Sequence, residues 1–151
     1  MSQNTKKINS AWYVMLSIFT VSTSLGIFGY KRYIDSEKII LESLKEFDNL
    51  GKIFQSEECI TEILKWNKSC LAMKSLCDHS VPRLMNVCLK SQNRFDECQK
   101  FVNIDSDSKV GVTECNQRGV LKKEKKNCTT AYMVWKDYCQ NILFANAKTT
   151  Q

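Results

Sequence analysis

The sequence predicts an all-α protein: a single N-terminal transmembrane helix, then a disulfide-stapled helical hairpin with an extra C-terminal helix. Three observations predict this class: a long uncharged run near the N-terminus, apolar residues and cysteines at helical spacing after it, and few turn-forming residues. Glycine and proline number only 5 and 1 among 151 residues, which disfavours β-sandwiches and low-complexity chains. Hydrophobic residues make up 43% and charged residues 25%, a balance that excludes a wholly disordered chain.

The first element is an apolar segment at residues 11–30, which follows a short tail at 1–10. It contains no charged residue, and a helix of that length spans about 30 Å, the hydrocarbon thickness of a bilayer. Aromatic residues stand near its two ends, as at membrane interfaces: Trp12, Tyr13, Tyr30 and Tyr33. A buried core helix and a cleaved signal peptide are the alternatives. The segment has no polar face, and we expect it to be retained as a membrane span.

Residues 31–55 predict an amphipathic connecting helix. Its apolar residues recur at helical spacing: Ile39, Ile40, Leu44, Phe47 and Leu50. Asn49 and Gly51 supply a stop signal.

Residues 56–103 predict a hairpin of two helices, with Ser56 as the cap of the first. One stripe alternates steps of four and three: Cys59, Ile63, Trp66, Cys70, Met73 and Cys77. We expect this helix to end at residues 78–80 and Pro82 to lie in the first turn of the next. The second helix carries its own stripe: Leu84, Cys88, Phe95, Cys98 and Val102.

Residues 104–151 predict a loop and a disulfide-tethered C-terminal helix, with a short helix near 113–121 between them. The last helix carries one apolar face: Cys128, Tyr132, Trp135, Cys139 and Ile142. Segments 59–70 and 128–139 share a cysteine, a large apolar residue at +4, a tryptophan at +7 and a cysteine at +11. A duplicated unit and two generic amphipathic helices both explain this similarity.

The eight cysteines predict disulfides rather than a metal site. They are Cys59, Cys70, Cys77, Cys88, Cys98, Cys115, Cys128 and Cys139. Structural zinc needs short Cys-x2-4-Cys pairs or histidines, and the chain has neither such a pair nor more than 1 histidine. A redox-active Cys-x-x-Cys is also absent, so we expect no thiol-exchange enzyme. Because all eight follow the apolar segment, they lie on one side of the membrane.

Helix geometry narrows the pairing of four cysteines: Cys59, Cys70, Cys88 and Cys98. Cys59 and Cys70 lie eleven residues apart in one predicted helix, about 16 Å. A disulfide needs Cα atoms within about 7 Å, so these two cannot pair. An antiparallel fold at residue 79 instead brings Cys70 beside Cys88 and Cys59 beside Cys98.

The other four cysteines keep two pairings open. The same 16 Å distance excludes Cys128–Cys139, about eleven residues apart, and with it Cys77–Cys115. Cys115–Cys128 with Cys77–Cys139, or Cys77–Cys128 with Cys115–Cys139, remain. We slightly favour the first, because Gly119 and the lysines after it can form the turn.

The quartet Cys59, Cys70, Cys88 and Cys98 has Cys-x10-Cys, a 17-residue connection and Cys-x9-Cys. This order resembles the coiled-coil-helix–coiled-coil-helix family, the twin Cys-x9-Cys proteins of the mitochondrial intermembrane space. Some respiratory subunits of that family mix the two spacings. Four extra cysteines and the membrane anchor depart from its pattern.

The resemblance also implies an import signal read by a disulfide relay. Such a signal has an aromatic residue four positions before a cysteine and an apolar residue three positions before that aromatic residue. Trp66 and Ile63 before Cys70 match it, and Trp135 and Tyr132 before Cys139 match it again. The alternative is that these four side chains are ordinary helical core.

The sequence predicts no enzyme, and we expect no catalytic residue, no cofactor and no metal. His79 is the only histidine and falls in the predicted turn, and neither a phosphate-binding glycine loop nor a Gly-x-Ser-x-Gly motif occurs. The net charge is +6, and one lysine run lacks the aromatic residues of nucleic-acid sites: Lys122, Lys123, Lys125 and Lys126. We expect no nucleic acid and no small-molecule substrate, and interpret the run as solvated, with an acidic partner or anionic lipid as the alternative.

The resemblance implies a non-catalytic accessory subunit of a mitochondrial inner-membrane respiratory-chain complex, complex IV or complex I. The tail would lie in the matrix and the C-terminal domain in the intermembrane space. Expected partners are other subunits of a large membrane complex and inner-membrane lipid such as cardiolipin. One alternative is an intermembrane-space assembly or copper-handling factor, which needs free thiols. Another is a secretory-pathway membrane protein, which glycans at the sequons of Asn67 or Asn127 would favour.

Overall fold

The computed structural model describes residues 10–104 and 111–149, and within them the chain is all-α, as predicted. The helices of this part are α1 (Ser10–Gly51), α2 (Ser56–Ser69), α3 (Lys74–Lys90), α4 (Phe95–Ile104), α5 (Val112–Gln117) and α6 (Lys125–Thr149). No β-strand occurs in these two stretches. Residues 105–110, in the predicted loop that begins at residue 104, lie outside the described residues.

The chain divides into two compact units, Met1–Asp35 and Ser36–Gln151. In the first unit, α1 is long and apolar enough near its N-terminal end to cross a membrane, and none of that stretch is buried in the protein. Its hydroxyl groups donate to carbonyls one turn back, for example Thr23 Oγ1 to Phe19 at 2.8 Å and Ser24 Oγ to Thr20 at 2.8 Å. These bonds satisfy polar side chains that would otherwise be costly in hydrocarbon.

The second unit begins with the part of α1 after residue 35, which packs into its core. Ile40 and Phe47 are 3% and 2% exposed. The Phe47 ring meets the Trp66 ring edge to face, with 6.5 Å between the centroids. Trp66 Nε1 donates to Ser43 Oγ at 2.8 Å. The amphipathic pattern predicted for this segment thus marks a core-forming helix.

The turn between α2 and α3 lies earlier than predicted. We expected the first hairpin helix to run through Cys77 and to end at 78–80, but α2 ends at Ser69 and residues 78–80 and Pro82 lie inside α3. Cys70 and Met73 have extended backbones, with ψ of 122° and 130°. The Met73 N–H donates to Ser36 Oγ at 3.1 Å, so a tertiary contact holds the turn where neither glycine nor proline marks it.

The second predicted stripe is also interrupted, because residues 91–94 separate α3 from α4. The predicted short helix is α5, and it ends in a Schellman motif. Gly119 has a φ of +63°, and the Gly119 and Val120 N–H groups donate to Asn116 and Cys115 at 3.0 and 3.3 Å. Only glycine adopts that backbone without strain, so it fixes where α5 stops.

Five helices of the second unit form two packed groups. α3 packs against α2, and α4 and α5 pack against α6. The two groups meet where α3 and α2 contact α6. The core between them contains mostly fully buried side chains, among them Ile60, Ile63, Val81, Leu84, Met85, Leu89, Ala131 and Tyr132.

Candidate functional site

All eight cysteines are bridged, and the bridges organise the second unit. The pairs are Cys59–Cys88, Cys70–Cys77, Cys98–Cys139 and Cys115–Cys128. Their Cα atoms lie 6.2, 6.2, 4.9 and 6.0 Å apart, within the range that a disulfide allows. No cysteine of the chain is free.

Three of the four favoured pairs are wrong. Cys59–Cys98, Cys70–Cys88 and Cys77–Cys139 do not form, and neither does the second alternative of Cys77–Cys128 with Cys115–Cys139. Only Cys115–Cys128 matches the favoured set. The physical reason is the position of the turn. Both bridges of the α2–α3 pair are symmetric about residues 73 and 74, whereas the prediction folded the chain about residue 79.

The bridges form two successive nested sets. Cys59–Cys88 encloses Cys70–Cys77, and Cys98–Cys139 encloses Cys115–Cys128. The signal for the first set was present: residues 59–70 and 77–88 are both Cys-x10-Cys, and equal spacing on two helices suits an antiparallel pair. No disulfide joins the two sets. The last helix is disulfide-tethered, as predicted, but Cys139 is bridged to Cys98 of α4 and not to Cys77.

A buried arginine that the sequence analysis missed joins the ends of several helices. Arg94 is 1% exposed. Its Nη2 donates to the carbonyls of Gly51 and Cys88, both at 3.0 Å, and its Nε donates to Leu89 O at 3.1 Å. A guanidinium has five N–H donors in a rigid fork, which suits several acceptors at once.

Glu97 balances the charge of Arg94. Arg94 Nη1 lies 3.2 Å from Glu97 Oε1. The other carboxylate oxygen of Glu97 accepts from Ser56 Oγ at 2.6 Å and from the Ser56 N–H at 3.0 Å. The backbones of Gly51 and Cys88 lie close together beside this network. A Cβ on Gly51 would lie 2.8 Å from Cys88 Cα. The only sequence signal was an arginine in a polar stretch, which gives no indication of burial.

A polar cluster connects α2 and α3 to α6. It consists of Asn67, Lys74, Asp78 and Asn127. Asp78 Oδ1 accepts from Asn67 at 3.0 Å, from Asn127 at 2.7 Å and from Lys74 Nζ at 2.8 Å. Asn127 Nδ2 also donates to Asn67 Oδ1 at 2.9 Å. Desolvation by burial opposes ionisation of Asp78, but the hydrogen bonds from Lys74, Asn67 and Asn127 lower its pKa below its ordinary value.

A second connection joins α2, α6 and the end of α5. Arg118 Nε donates to Tyr132 Oη at 2.9 Å, and Arg118 Nη1 donates to Thr61 Oγ1 at 2.8 Å. Arg118 also forms an ion pair with Glu57, and its guanidinium lies 5.7 Å from the centre of the Tyr132 ring. Burial raises the pKa of Tyr132, although the nearby Arg118 opposes that rise.

The four proposed packing or import residues lie in or against the core. Ile63, Tyr132 and Trp135 are 0%, 1% and 6% exposed, and Trp66 is half-buried. Tyr132 and Trp135 are in contact, with ring centroids 6.1 Å apart. Their folded positions match the packing interpretation, and a role in import stays a prediction.

His79 lies on the exposed face of α3 and not in a turn. Its Nδ1 is 2.6 Å from the Ser75 carbonyl oxygen. Within the described stretches, no three His, Cys, Asp or Glu side chains come together as metal ligands would.

Comparison of the sequence with protein-family models, with curated proteins and with solved structures finds no match. Inference about function therefore rests on the disulfide connectivity, the apolar helix and the buried polar contacts.

Proposed function

We propose that the protein is a non-catalytic accessory subunit of a mitochondrial inner-membrane respiratory-chain complex, complex IV or complex I. One helix anchors it in the membrane, and the disulfide-stapled unit stabilises the assembly from the intermembrane-space side. One observation carries the proposal: every cysteine is bridged, and all eight follow a helix long and apolar enough to span a membrane. Disulfides persist in oxidising compartments, so that side of the membrane is an oxidising one.

The connectivity favours the intermembrane space among such compartments. The nested bridges on the antiparallel α2–α3 pair resemble those expected of a coiled-coil-helix–coiled-coil-helix domain, although they use Cys77 and Cys88 instead of Cys88 and Cys98. A structural role also fits a small domain whose own core is limited, because each disulfide adds about 2–4 kcal/mol to the stability.

Two alternatives are less well supported. Both sequon asparagines are buried, Asn67 at 4% and Asn127 at 8% exposed. Each also uses its side-chain nitrogen in a hydrogen bond, at 3.0 Å from Asn67 to Asp78 and 2.9 Å from Asn127 to Asn67. A glycan on either nitrogen is incompatible with this fold, which disfavours the secretory pathway. A copper-handling factor needs free thiols, and the chain has none.

The test is purification of native mitochondrial membrane complexes followed by mass spectrometry. We expect the chain to co-purify with subunits of complex IV or complex I. We also expect protease to degrade residues 36–151 only after the outer membrane is opened. Absence of the chain from every large complex, or N-linked glycans on it, would overturn the proposal.

A further inference from the structure

The Cys70–Cys77 bridge differs from the other three in its access to solvent. Cys70 is partly exposed, whereas the seven other cysteines are all 0% exposed. The bridge also closes the shortest loop, with a sequence separation of 7 against 13, 29 and 41. In the chain-entropy view the shortest loop stabilises least, and Cys59–Cys88 clamps the same two helices. The fold can therefore survive the opening of Cys70–Cys77.

The surroundings of Cys70 are basic. Cys70 lines a cleft of about 320 Å³ together with Lys68, Lys74 and Lys123. Lys68 Nζ lies 3.0 Å from a carboxylate oxygen of Glu124, and Lys74 Nζ lies 2.8 Å from Asp78. Three lysines against these two carboxylates leave a net positive charge. Such a cleft raises the local concentration of anions and favours the thiolate form of a nearby thiol.

The turn brings together two cysteines that the sequence places in one helix. Cys70 is the first residue after α2, and Cys77 lies in the first turn of α3. The absence of a Cys-x-x-Cys motif argued against thiol exchange, but this turn supplies a bridge that solvent reaches at one of its two residues, Cys70.

We propose that Cys70–Cys77 is a thiol–disulfide exchange site for a small anionic thiol of the glutathione class. The thiolate attacks the Sγ of Cys70, the partly exposed residue of the bridge, and forms a mixed disulfide. The Cys70–Cys77 bond breaks, its electron pair goes to the Cys77 Sγ, and that thiolate takes a proton from water. The Cys77 Sγ lies 3.5 Å from the Ala72 carbonyl, which can accept a hydrogen bond from the released thiol.

A second thiolate completes the exchange. It attacks the small-molecule sulfur of the mixed disulfide, and Cys70 leaves as a thiolate. Two thiols are oxidised to one small-molecule disulfide while the protein bridge gains two electrons. The reverse sequence, from the oxidised small molecule, restores the bridge.

The full-length protein in detergent micelles, treated with reduced glutathione and then alkylated, tests the site. Trypsin places Cys70 on residues 69–74 and Cys77 on residues 75–83, so mass spectrometry reads each cysteine separately. We expect this pair to open roughly tenfold faster than the other three, because buried bridges exchange only through local opening. The first adduct should be glutathione on Cys70. Another bridge opening first, or a first adduct on Cys77, would overturn the proposal.

A charge test distinguishes an anion-attracting site from simple exposure. The double variant Lys68→Gln with Lys123→Gln should slow exchange with glutathione about fourfold, since each unit charge within a Debye length contributes roughly a factor of two. Exchange with cysteamine, whose ammonium group balances the charge of its attacking thiolate, should be unchanged. Lys90→Gln is the matched control, because Lys90 lies about 20 Å along α3 from Cys77. Equal effects on both thiols, or none on glutathione, would overturn the assignment of an anionic thiol.

Discussion

Arg94 is the residue on which several helix ends depend. Its guanidinium is buried against the carbonyls of Gly51, Cys88 and Leu89 and pairs with Glu97. A buried charge is costly to remove from water, and the hydrogen bonds offset that cost only while the whole set is present. Arg94 therefore sets how the helix ends are positioned relative to one another more than it adds net stability.

Replacing Arg94 with methionine should lower the free energy of unfolding by about 3 kcal/mol, since it removes the donor to three carbonyls and the ion-pair partner of Glu97. Arg83→Met is the control, because Arg83 is an exposed arginine on α3. Chemical denaturation monitored by circular dichroism measures both. A loss for Arg94→Met no larger than for Arg83→Met would contradict the assigned role.

Asp78 should make stability depend on acid pH. Although burial opposes ionisation, hydrogen bonds from Lys74, Asn67 and Asn127 give its folded state a pKa below the ordinary value. The stabilisation is therefore present above the unfolded pKa and is lost as pH falls through the folded one. Asp78→Asn should be less stable than the unaltered protein at pH 7, and the difference should shrink as the pH approaches about 3. Thermal unfolding between these pH values measures it; a constant difference would argue against the linkage.

At the scale of elements, the helices follow from the sequence and the turns between them do not. Helical periodicity located the apolar helix, the core face of α2 and the core face of α6. The α2–α3 turn was misplaced because residues 70–73 contain no glycine or proline, and its extended backbone depends on Ser36, far away in sequence. That one error propagated into the pairing of the cysteines. Burial of Arg94 was equally invisible, since its acceptors are backbone carbonyls at the ends of two other helices, α1 and α3.

Disulfide mapping decides between the two positions of the turn. Trypsin cleavage after lysine and arginine places each of the eight cysteines on its own peptide. Digestion without reduction, after any free thiols are alkylated to prevent exchange, should join residues 53–65 to 84–90 and residues 69–74 to 75–83. A species joining 53–65 to 95–100 would instead mean Cys59–Cys98 and a turn near residue 79.

At the scale of the whole molecule, the unit from Ser36 onward contains all four bridges and the core. A chain of residues 36–151 should therefore be soluble and should form the same four bridges. A chain beginning at residue 52 loses the buried Ile40 and Phe47. Its free energy of unfolding should be about 3–6 kcal/mol lower than that of the chain 36–151. Thiol titration and denaturation of the two chains provide the comparison. Equal stability would show that α1 contributes nothing to this unit.

The nested connectivity also bears on how the chain becomes oxidised. Eight cysteines can pair in 105 ways, but two sets of four that close internally allow only three ways each, or nine together. Cys59 to Cys88 precede Cys98 to Cys139 along the chain without interleaving. When the chain enters an oxidising compartment from its N-terminal side, the first set can close before the second arrives. Because the two sets are separate in sequence, fewer non-native disulfides can form, and an isomerase has fewer of them to correct.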